Sequence, residues 1–344
     1  MKYFNCDYNE GMAEEILAKI NETNREQLPG YGEDEYCERA TSKIKKACQA
    51  AVDVHYFVGG TQTNLTFISS ALRPHQGVIS AECGHINTHE SGAIENCGHK
   101  VLTVPSVDGK ITAEQVKTVY ENHVNDENRI HAVQPAMVYI SNPTEWGSTY
   151  SKEDLAKLYE TCQQCGLILY IDGARLAYAL ANTRQEMSLS FLASHCDAFY
   201  IGGTKCGAML GEVLVLVKDE LKEDFRYLIK QKGAMLAKGR ILGMQFEALF
   251  TDGLYKRLGA HGVLMAEQIR EACRQAKYDF WVENDTNQVF PIIPVAKLAT
   301  LKEKYYFMDM GEVKVGYGVV RFCTSWATKE EDVQELVRDI INGN

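Results

Sequence analysis

Leu167-Ile168-Leu169-Tyr170-Ile171 is an unbroken apolar run that stops on Asp172-Gly173-Ala174-Arg175. Short apolar runs bounded by glycine read as strands buried on both faces, which is how strands of parallel sheets look. An ionised carboxylate at the end of such a strand is costly unless something cationic pairs with it. Asp172 therefore either pairs with Arg175 or serves a ligand. Working upstream, residues 54–58, 77–81, 100–104 and 136–141 read as further strands, with helices over 63–72 and 152–165. Downstream, 198–201 and 212–217 continue the pattern. Strands alternating with helices need crossover connections, so the sheet is expected to be mostly parallel and covered on both faces, an α/β architecture.

After about residue 235 the pattern changes to long helices at 239–258 and 261–276, strands near 288–291 and 315–323, and an amphipathic helix over 329–341. The expected division is a large domain over residues 1–235 and a smaller C-terminal α+β domain over 236–344, with a ligand between them. A length of 344 residues suits two such units. Apolar residues at 45% and charged residues at 24% exclude a disordered chain. Lys and Arg number 36 against 46 Asp and Glu, a net charge of −10, which disfavours nucleic acid as a partner. The longest apolar runs fall far short of the ~20 residues that span a bilayer. Met1-Lys2-Tyr3-Phe4-Asn5-Cys6-Asp7 carries no secretory pattern, and a cytoplasmic location is expected. Eleven scattered cysteines, an odd number, read as reduced and mostly buried thiols.

In a parallel α/β sheet, ligands bind beyond the carboxyl ends of the strands, and three such ends carry chemistry. Gly59-Gly60-Thr61-Gln62 closes one strand and opens a helix, where glycines admit a close approach and free amides favour a phosphate. Asp172 closes the second. Gly202-Gly203-Thr204-Lys205-Cys206-Gly207 follows the third, leaving room around one lysine, and a desolvated lysine is a nucleophile toward carbonyls. A phosphate cradle, an acid able to keep a pyridinium nitrogen protonated and an imine-forming lysine are the protein's share of a pyridoxal 5'-phosphate site.

Other motifs fall in the order of a known family. Gly30-Tyr31-Gly32-Glu33-Asp34, Gly60-Thr61-Gln62-Thr63-Asn64-Leu65, Gly84-His85-Ile86-Asn87-Thr88-His89-Glu90, Asp172-Gly173-Ala174-Arg175, Thr204-Lys205 and Val320-Arg321-Phe322-Cys323-Thr324 resemble motifs of the low-specificity L-threonine aldolases and related β-eliminating lyases. These are pyridoxal-phosphate enzymes of aspartate-aminotransferase fold (fold type I), a three-layer α/β large domain with a smaller C-terminal one, and the likeness covers nearly the whole chain. It implies that Lys205 forms the imine, that Asp172 holds the pyridinium nitrogen and that His85 stacks on the ring. Gly60, Thr61, Gln62 and Thr204 would complete the cofactor site. Arg175 and Arg321 would contact the substrate carboxylate, with Cys6 and Tyr31 nearby, and homodimers or homotetramers with shared sites are implied. Where the family has a histidine beside the substrate hydroxyl, this chain has Glu145 in Asn142-Pro143-Thr144-Glu145-Trp146-Gly147. Glu145 is then the candidate base, with His85, His89 or water as alternatives. An arginine that reaches a neighbouring subunit's phosphate is replaced as well, leaving Lys238 or Arg240 for that task.

His85 and His89 are four apart, the spacing of a zinc pair on a helix, but no third ligand follows, so no metal is expected. Cys162-Gln163-Gln164-Cys165 lacks a second pair and reads as thiols packed against the sheet. The expected reaction is aldol cleavage of L-threonine, L-allo-threonine or a related β-hydroxy-α-amino acid to glycine and an aldehyde. The rivals are β-elimination, cysteine desulfurisation or transamination in the same site, and, from another class, a pyridoxal-phosphate-binding protein without turnover.

Overall fold

The computed structural model describes residues 1–182 and 186–342. Its centre is a seven-stranded sheet in the order Asp53–Phe57, Glu212–Leu216, Ala198–Gly202, Ile168–Asp172, Gln134–Ser141, Gln76–Ala81, Val101–Val104. All run parallel except Glu212–Leu216, which is antiparallel to both of its neighbours. That reversal matters for the site. The carboxyl ends of six strands share one edge, and the seventh brings its first residue, Glu212, to the same edge, opposite Gly202 and Phe57.

Alternate residues of these strands feed two cores, one on each face. Leu169, Ile171, Phe199, Ile201, Val213 and Val215 pack with Ile44, Leu155 and Leu158 on one side. Met137, Tyr139, Tyr170, Tyr200 and Leu214 pack with Phe67, Ile68 and Phe225 on the other. Helices cover both faces, which is why the strands read as continuous apolar runs. Lys152–Cys165 shows how sharply such a helix is bounded: the Ser151 hydroxyl accepts from the Asp154 amide at 3.0 Å, and Gly166 ends it in the left-handed region at φ 66°. Cys162 faces the core from this helix, while Cys165 is only half-buried.

The smaller unit is a four-stranded antiparallel sheet, Met308–Lys314, Tyr317–Cys323, Gln288–Pro294 and Phe280–Val282 in that order. Its core joins Val289, Val320 and Phe322 to Met265 and Ile269 of the helix Leu254–Gln275 and to Leu336 of Glu330–Ile341. Phe4 is part of this core, and Lys2–Tyr3 pairs in parallel with Tyr305–Tyr306. Two expectations are corrected here. The helices anticipated at 239–258 and 261–276 are instead Arg240–Leu249 and Leu254–Gln275, because Asp252 (φ 47°) and Gly253 (φ 69°) turn the chain between them. The strand anticipated from residue 315 starts at Tyr317, since Gly316 (φ 80°) makes the hairpin turn from Met308–Lys314. Among the described residues no helix is long and apolar enough to cross a membrane, and no cluster of three or more His, Cys, Asp and Glu could hold a metal ion.

Candidate active site

Asp172 ends its strand at the shared edge and is 3% exposed. Its Oδ2 accepts from the Tyr139 hydroxyl at 2.6 Å and from Asn64 Nδ2 at 3.1 Å, and its Oδ1 from the Ala174 amide at 2.9 Å. Three donors hold the buried carboxylate in place without neutralising its charge. Arg175 is not its partner: that guanidinium is taken by Asp7, Nε to Oδ2 at 2.8 Å and Nη2 to Oδ1 at 3.0 Å. Among the described residues Asp172 has no ion-pair partner, the arrangement that suits a cationic ligand atom.

His85 opens the short helix His85–Thr88 and pairs through Nδ1 with Glu90 Oε1 at 2.7 Å. Asn64 Nδ2 donates to the same oxygen at 2.7 Å while also reaching Asp172, so one amide ties the two acids together. Burial pushes the His85 imidazole down, but the Glu90 hydrogen bond and the charges of Asp172 and Glu90 outweigh it, and its pKa is raised.

Lys205 sits in the turn that joins Ala198–Gly202 to Glu212–Leu216. The Gly203 and Thr204 amides donate to the Gly211 carbonyl at 3.0 and 3.1 Å, and the Gly211 amide donates to Thr204 Oγ1 at 2.9 Å, which closes the loop around the lysine. A side chain on Gly203 would come within 2.8 Å of the Gly211 carbonyl, so this turn requires glycine. Burial, then the charge of Arg175, lowers the Lys205 pKa against the pull of Asp7, Asp172 and Glu212, which favours the neutral, nucleophilic amine.

The helix Gly60–Ala71 starts directly beyond its strand, presenting free amides near Thr61 and Gln62. A Cβ at Gly60 would stand 2.9 Å from the Tyr200 hydroxyl, so the backbone lies close against the sheet edge. On the far side of the site, Arg321 donates from Nη2 to the Asn5 carbonyl at 2.8 Å and from Nη1 to Gln288 Oε1 at 3.3 Å. Its buried Nε has no acceptor, and it makes no ion pair among the described residues. A half-buried guanidinium bonded only to neutral acceptors is a ready site for a carboxylate. Cys6 lies next to Asn5 and donates to Asn9 Oδ1 at 3.1 Å.

Glu145 lies on the same wall as His85. Its Oε1 accepts from the His85 amide at 2.9 Å and from the Ser141 hydroxyl at 2.7 Å. Burial, reinforced by Asp172, raises its pKa despite the Ser141 hydrogen bond. Tyr31 makes its contacts elsewhere: it is exposed, with Lys230 Nζ 4.5 Å from its ring centre and Arg226 on its carbonyl. Asp34 of the same motif caps the helix Glu35–Cys48 through the Tyr36 and Cys37 amides. Arg240 holds the Glu26 carbonyl at 3.0 Å.

The structure thus brings Lys205 within electrostatic reach of Asp172, His85 and Arg175, and His89 within reach of His85, Lys205, Arg175 and Arg321. Sequence reasoning assigned no role to Asn64, Glu90, Tyr139, Asp7 or Glu212. Asn64 and Glu90 lay inside quoted motifs; Asp7, Tyr139 and Glu212 sit in strands or loops with no local signal, and only the sheet order reveals them.

Comparison with known proteins agrees with this architecture. A variant aspartate aminotransferase from Thermus thermophilus superimposes with a TM-score of 0.72 at 14% identity, covering 99% of this chain and 91% of that one, a likeness of fold. A threonine aldolase structure from Leishmania major superimposes with a TM-score of 0.96 at 40% identity over 99% of both chains. A low-specificity L-threonine aldolase from a Pseudomonas species is 30% identical over 341 residues, 98% of this chain and 96% of that protein. Since the beta-eliminating lyase family model also matches residues 11–296, the chain belongs to the beta-eliminating lyase family.

Proposed function

We propose that this protein is a pyridoxal 5'-phosphate-dependent aldehyde-lyase that cleaves L-threonine, L-allo-threonine or related β-hydroxy-α-amino acids to glycine and an aldehyde. The observation that carries the reading is the pairing pattern: among the described residues Asp172 is a buried acid with no ion-pair partner, and Arg321 is a cation with none. The donor set fits the cofactor. Asp172 would keep a proton on a ring nitrogen, His85 would cover the ring, and Gly60, Thr61, Gln62 and Thr204 would hold the phosphate. Lys205, its pKa lowered by burial, would be the covalent anchor. When bound, the cofactor supplies a carbonyl that captures amines and a ring that withdraws electrons from the substrate.

This chain's residues do the rest. Arg321 binds the substrate carboxylate, and Arg175, held rigid by Asp7, adds charge beside it. Fixing the carboxylate fixes which bond of the α-carbon stands across the ring. Glu145, its pKa raised by burial, takes the proton of the β-hydroxyl as the carbon–carbon bond breaks. The similarity to threonine aldolases supports this reading over the rivals. The test is incubation with L-threonine, L-allo-threonine, L-serine and L-cysteine while glycine, aldehyde and keto acid are measured. Glycine with stoichiometric aldehyde is expected from the β-hydroxy substrates. Pyruvate and ammonia as main products would replace the proposal with β-elimination, and no spectral change with any amino acid would leave a binding protein without turnover.

A further inference from the structure

The turn that carries Glu145 is held from two sides. From the larger unit, the Asp108 carbonyl accepts from the Ser148 hydroxyl at 2.6 Å and from the Thr144 hydroxyl at 3.2 Å. From the smaller unit, side chains of residues 284–288 donate to three consecutive carbonyls of the turn. Thr286 Oγ1 reaches the Gly147 carbonyl at 2.8 Å, Asn284 Nδ2 the Trp146 carbonyl at 3.1 Å, and Gln288 Nε2 the Glu145 carbonyl at 3.5 Å. Trp146 and Trp281 meet edge to face across the same boundary, with ring centres 3.9 Å apart. A Cβ on Gly147, which sits at φ 76°, would lie 2.8 Å from Asn284 Nδ2 and 2.9 Å from Thr286 Oγ1, so glycine there admits the donors. The three donors are buried, and Arg270 braces them through Nη2, which reaches Asn284 Oδ1 at 3.3 Å and the Thr286 carbonyl at 3.1 Å. The same segment extends to both arginines. Gln288 Oε1 accepts from Arg321, and Asn287 Nδ2 donates at 2.9 Å to Asp7, the acid that holds Arg175.

We propose that Asn284, Thr286 and Gln288 are positioning residues, a clamp that keeps the base Glu145 at a set distance from Arg321. This rests on reading Glu145 as the base and Arg321 as the grip on the substrate carboxylate. The Glu145 carboxyl is fixed from the larger unit, by the His85 amide and the Ser141 hydroxyl, whereas the carbonyls of its turn are fixed from the smaller one. In a β-hydroxy-α-amino acid the carboxylate and the hydroxyl stand on adjacent carbons. The group that holds the first and the base that takes the proton of the second must therefore keep their separation. Gln288 spans it, with its oxygen on the arginine and its nitrogen on the turn. A reacting group misplaced by about an ångström can lose on the order of a hundredfold in rate. Loosening the clamp should thus be felt when the carbon–carbon bond breaks and not when the carboxylate is captured.

The experiment compares Thr286→Val with wild-type holoenzyme. Valine stays close to the shape of threonine and removes the hydroxyl that donates to Gly147. For aldehyde release from L-threonine, kcat is expected to fall about tenfold or more. The midpoint of a spectral titration with glycine, which needs Arg321 but no base, is expected to stay within about twofold of wild type. Thr286→Ser, which keeps the hydroxyl, is expected to recover most of the lost rate. The loss must also run through Glu145, so in a Glu145→Gln background Thr286→Val is expected to cost less than about twofold more. Equal losses in cleavage and glycine binding, or no loss in either, overturn the proposal. So does the full loss added on top of that of Glu145→Gln. Should Thr286→Val fail to fold, Gln288→Met keeps the length of the side chain and removes both of its hydrogen bonds. It is read by the same comparison with Glu145→Gln, and additive losses overturn the proposal there too. The two readings fail separately: normal cleavage by Glu145→Gln alone refutes the base and the clamp with it, whereas an impaired Glu145→Gln with an additive Thr286→Val refutes the clamp alone.

Discussion

Two arginines reach toward the substrate side, yet their electrostatic situations differ, and Arg321→Ala separates them from Arg175→Ala. Arg321 spends its donors on the Asn5 carbonyl and the Gln288 amide oxygen and keeps a buried Nε without an acceptor. Among the described residues no carboxylate pairs with it. Arg175 is compensated already, by a carboxylate that is itself fully buried. Removing one member of a buried charge pair costs about 3–5 kcal/mol, and a half-buried Arg321 belongs at the lower end, about two powers of ten in affinity. A spectral titration of the holoenzyme with glycine reads this directly, since glycine carries the carboxylate and amine but no side chain. Arg321→Ala is expected to need about a hundredfold more glycine at its midpoint, with a melting temperature close to wild type. Arg175→Ala strands Asp7 in the interior and is expected to lose stability first, by about 3 kcal/mol or more in a urea titration. If Arg321→Ala bound glycine with an unchanged midpoint, the argument from unpaired charge would be wrong.

Asp172→Asn keeps the shape of the Tyr139 and Asn64 contacts while removing the charge, so turnover should fall by about two powers of ten or more with cofactor retained; normal turnover in correctly folded protein refutes the role. Asp7 gives a pH signature: burial raises its pKa, but Arg175, Lys205 and the Asn287 hydrogen bond lower it below its ordinary 3.8. Its stabilising contribution is therefore full above that value and lost as pH falls through the lower folded one, so Asp7→Asn should be less stable at neutral pH and flatten the acid limb of a stability–pH curve. An acid limb identical to wild type counts against the Asp7–Arg175 pair. Glu145→Gln should cut cleavage of β-hydroxy amino acids by about two to four powers of ten while glycine still gives its spectral change; equal losses in both would assign Glu145 to holding the His85 backbone. Tyr31 and Lys238 are exposed in their own chain, and sites shared between subunits, as the family resemblance implies, would use them in a neighbour's. Mixing inactive Lys205→Ala with Tyr31→Phe protein should then restore activity through hybrids, and a fully active monomer in light scattering contradicts it.

What could be read from sequence follows from where the information is local. The central sheet was legible because each strand ends on its own chemistry: Ile168–Asp172 stops on a carboxylate and Ala198–Gly202 on a glycine pair before Lys205, and both face the same edge simply because the strands are parallel. The hairpin of Met308–Lys314 was not legible, since Asp309, Gly311, Glu312 and Lys314 give it a polar, exposed face and no apolar alternation. Arg175 was read by its neighbourhood in the chain as one candidate partner for Asp172, whereas its two hydrogen bonds go to Asp7, 168 positions away.

Glu212 shows the same limit from the other side. In the sequence it is the first residue of Glu212-Val213-Leu214-Val215-Leu216, and an acid that opens an apolar strand ordinarily marks the point where the chain enters from solvent. In a wholly parallel sheet that position would lie at the edge opposite the ligand. Only because this strand runs against its neighbours does its beginning lie where theirs end, which places a buried carboxyl against Gly203, in the turn that carries Lys205. The direction of one strand thus decides whether Glu212 is a solvated end or a buried acid on the lysine's turn, and strand direction is a property of the whole sheet that no stretch of sequence states.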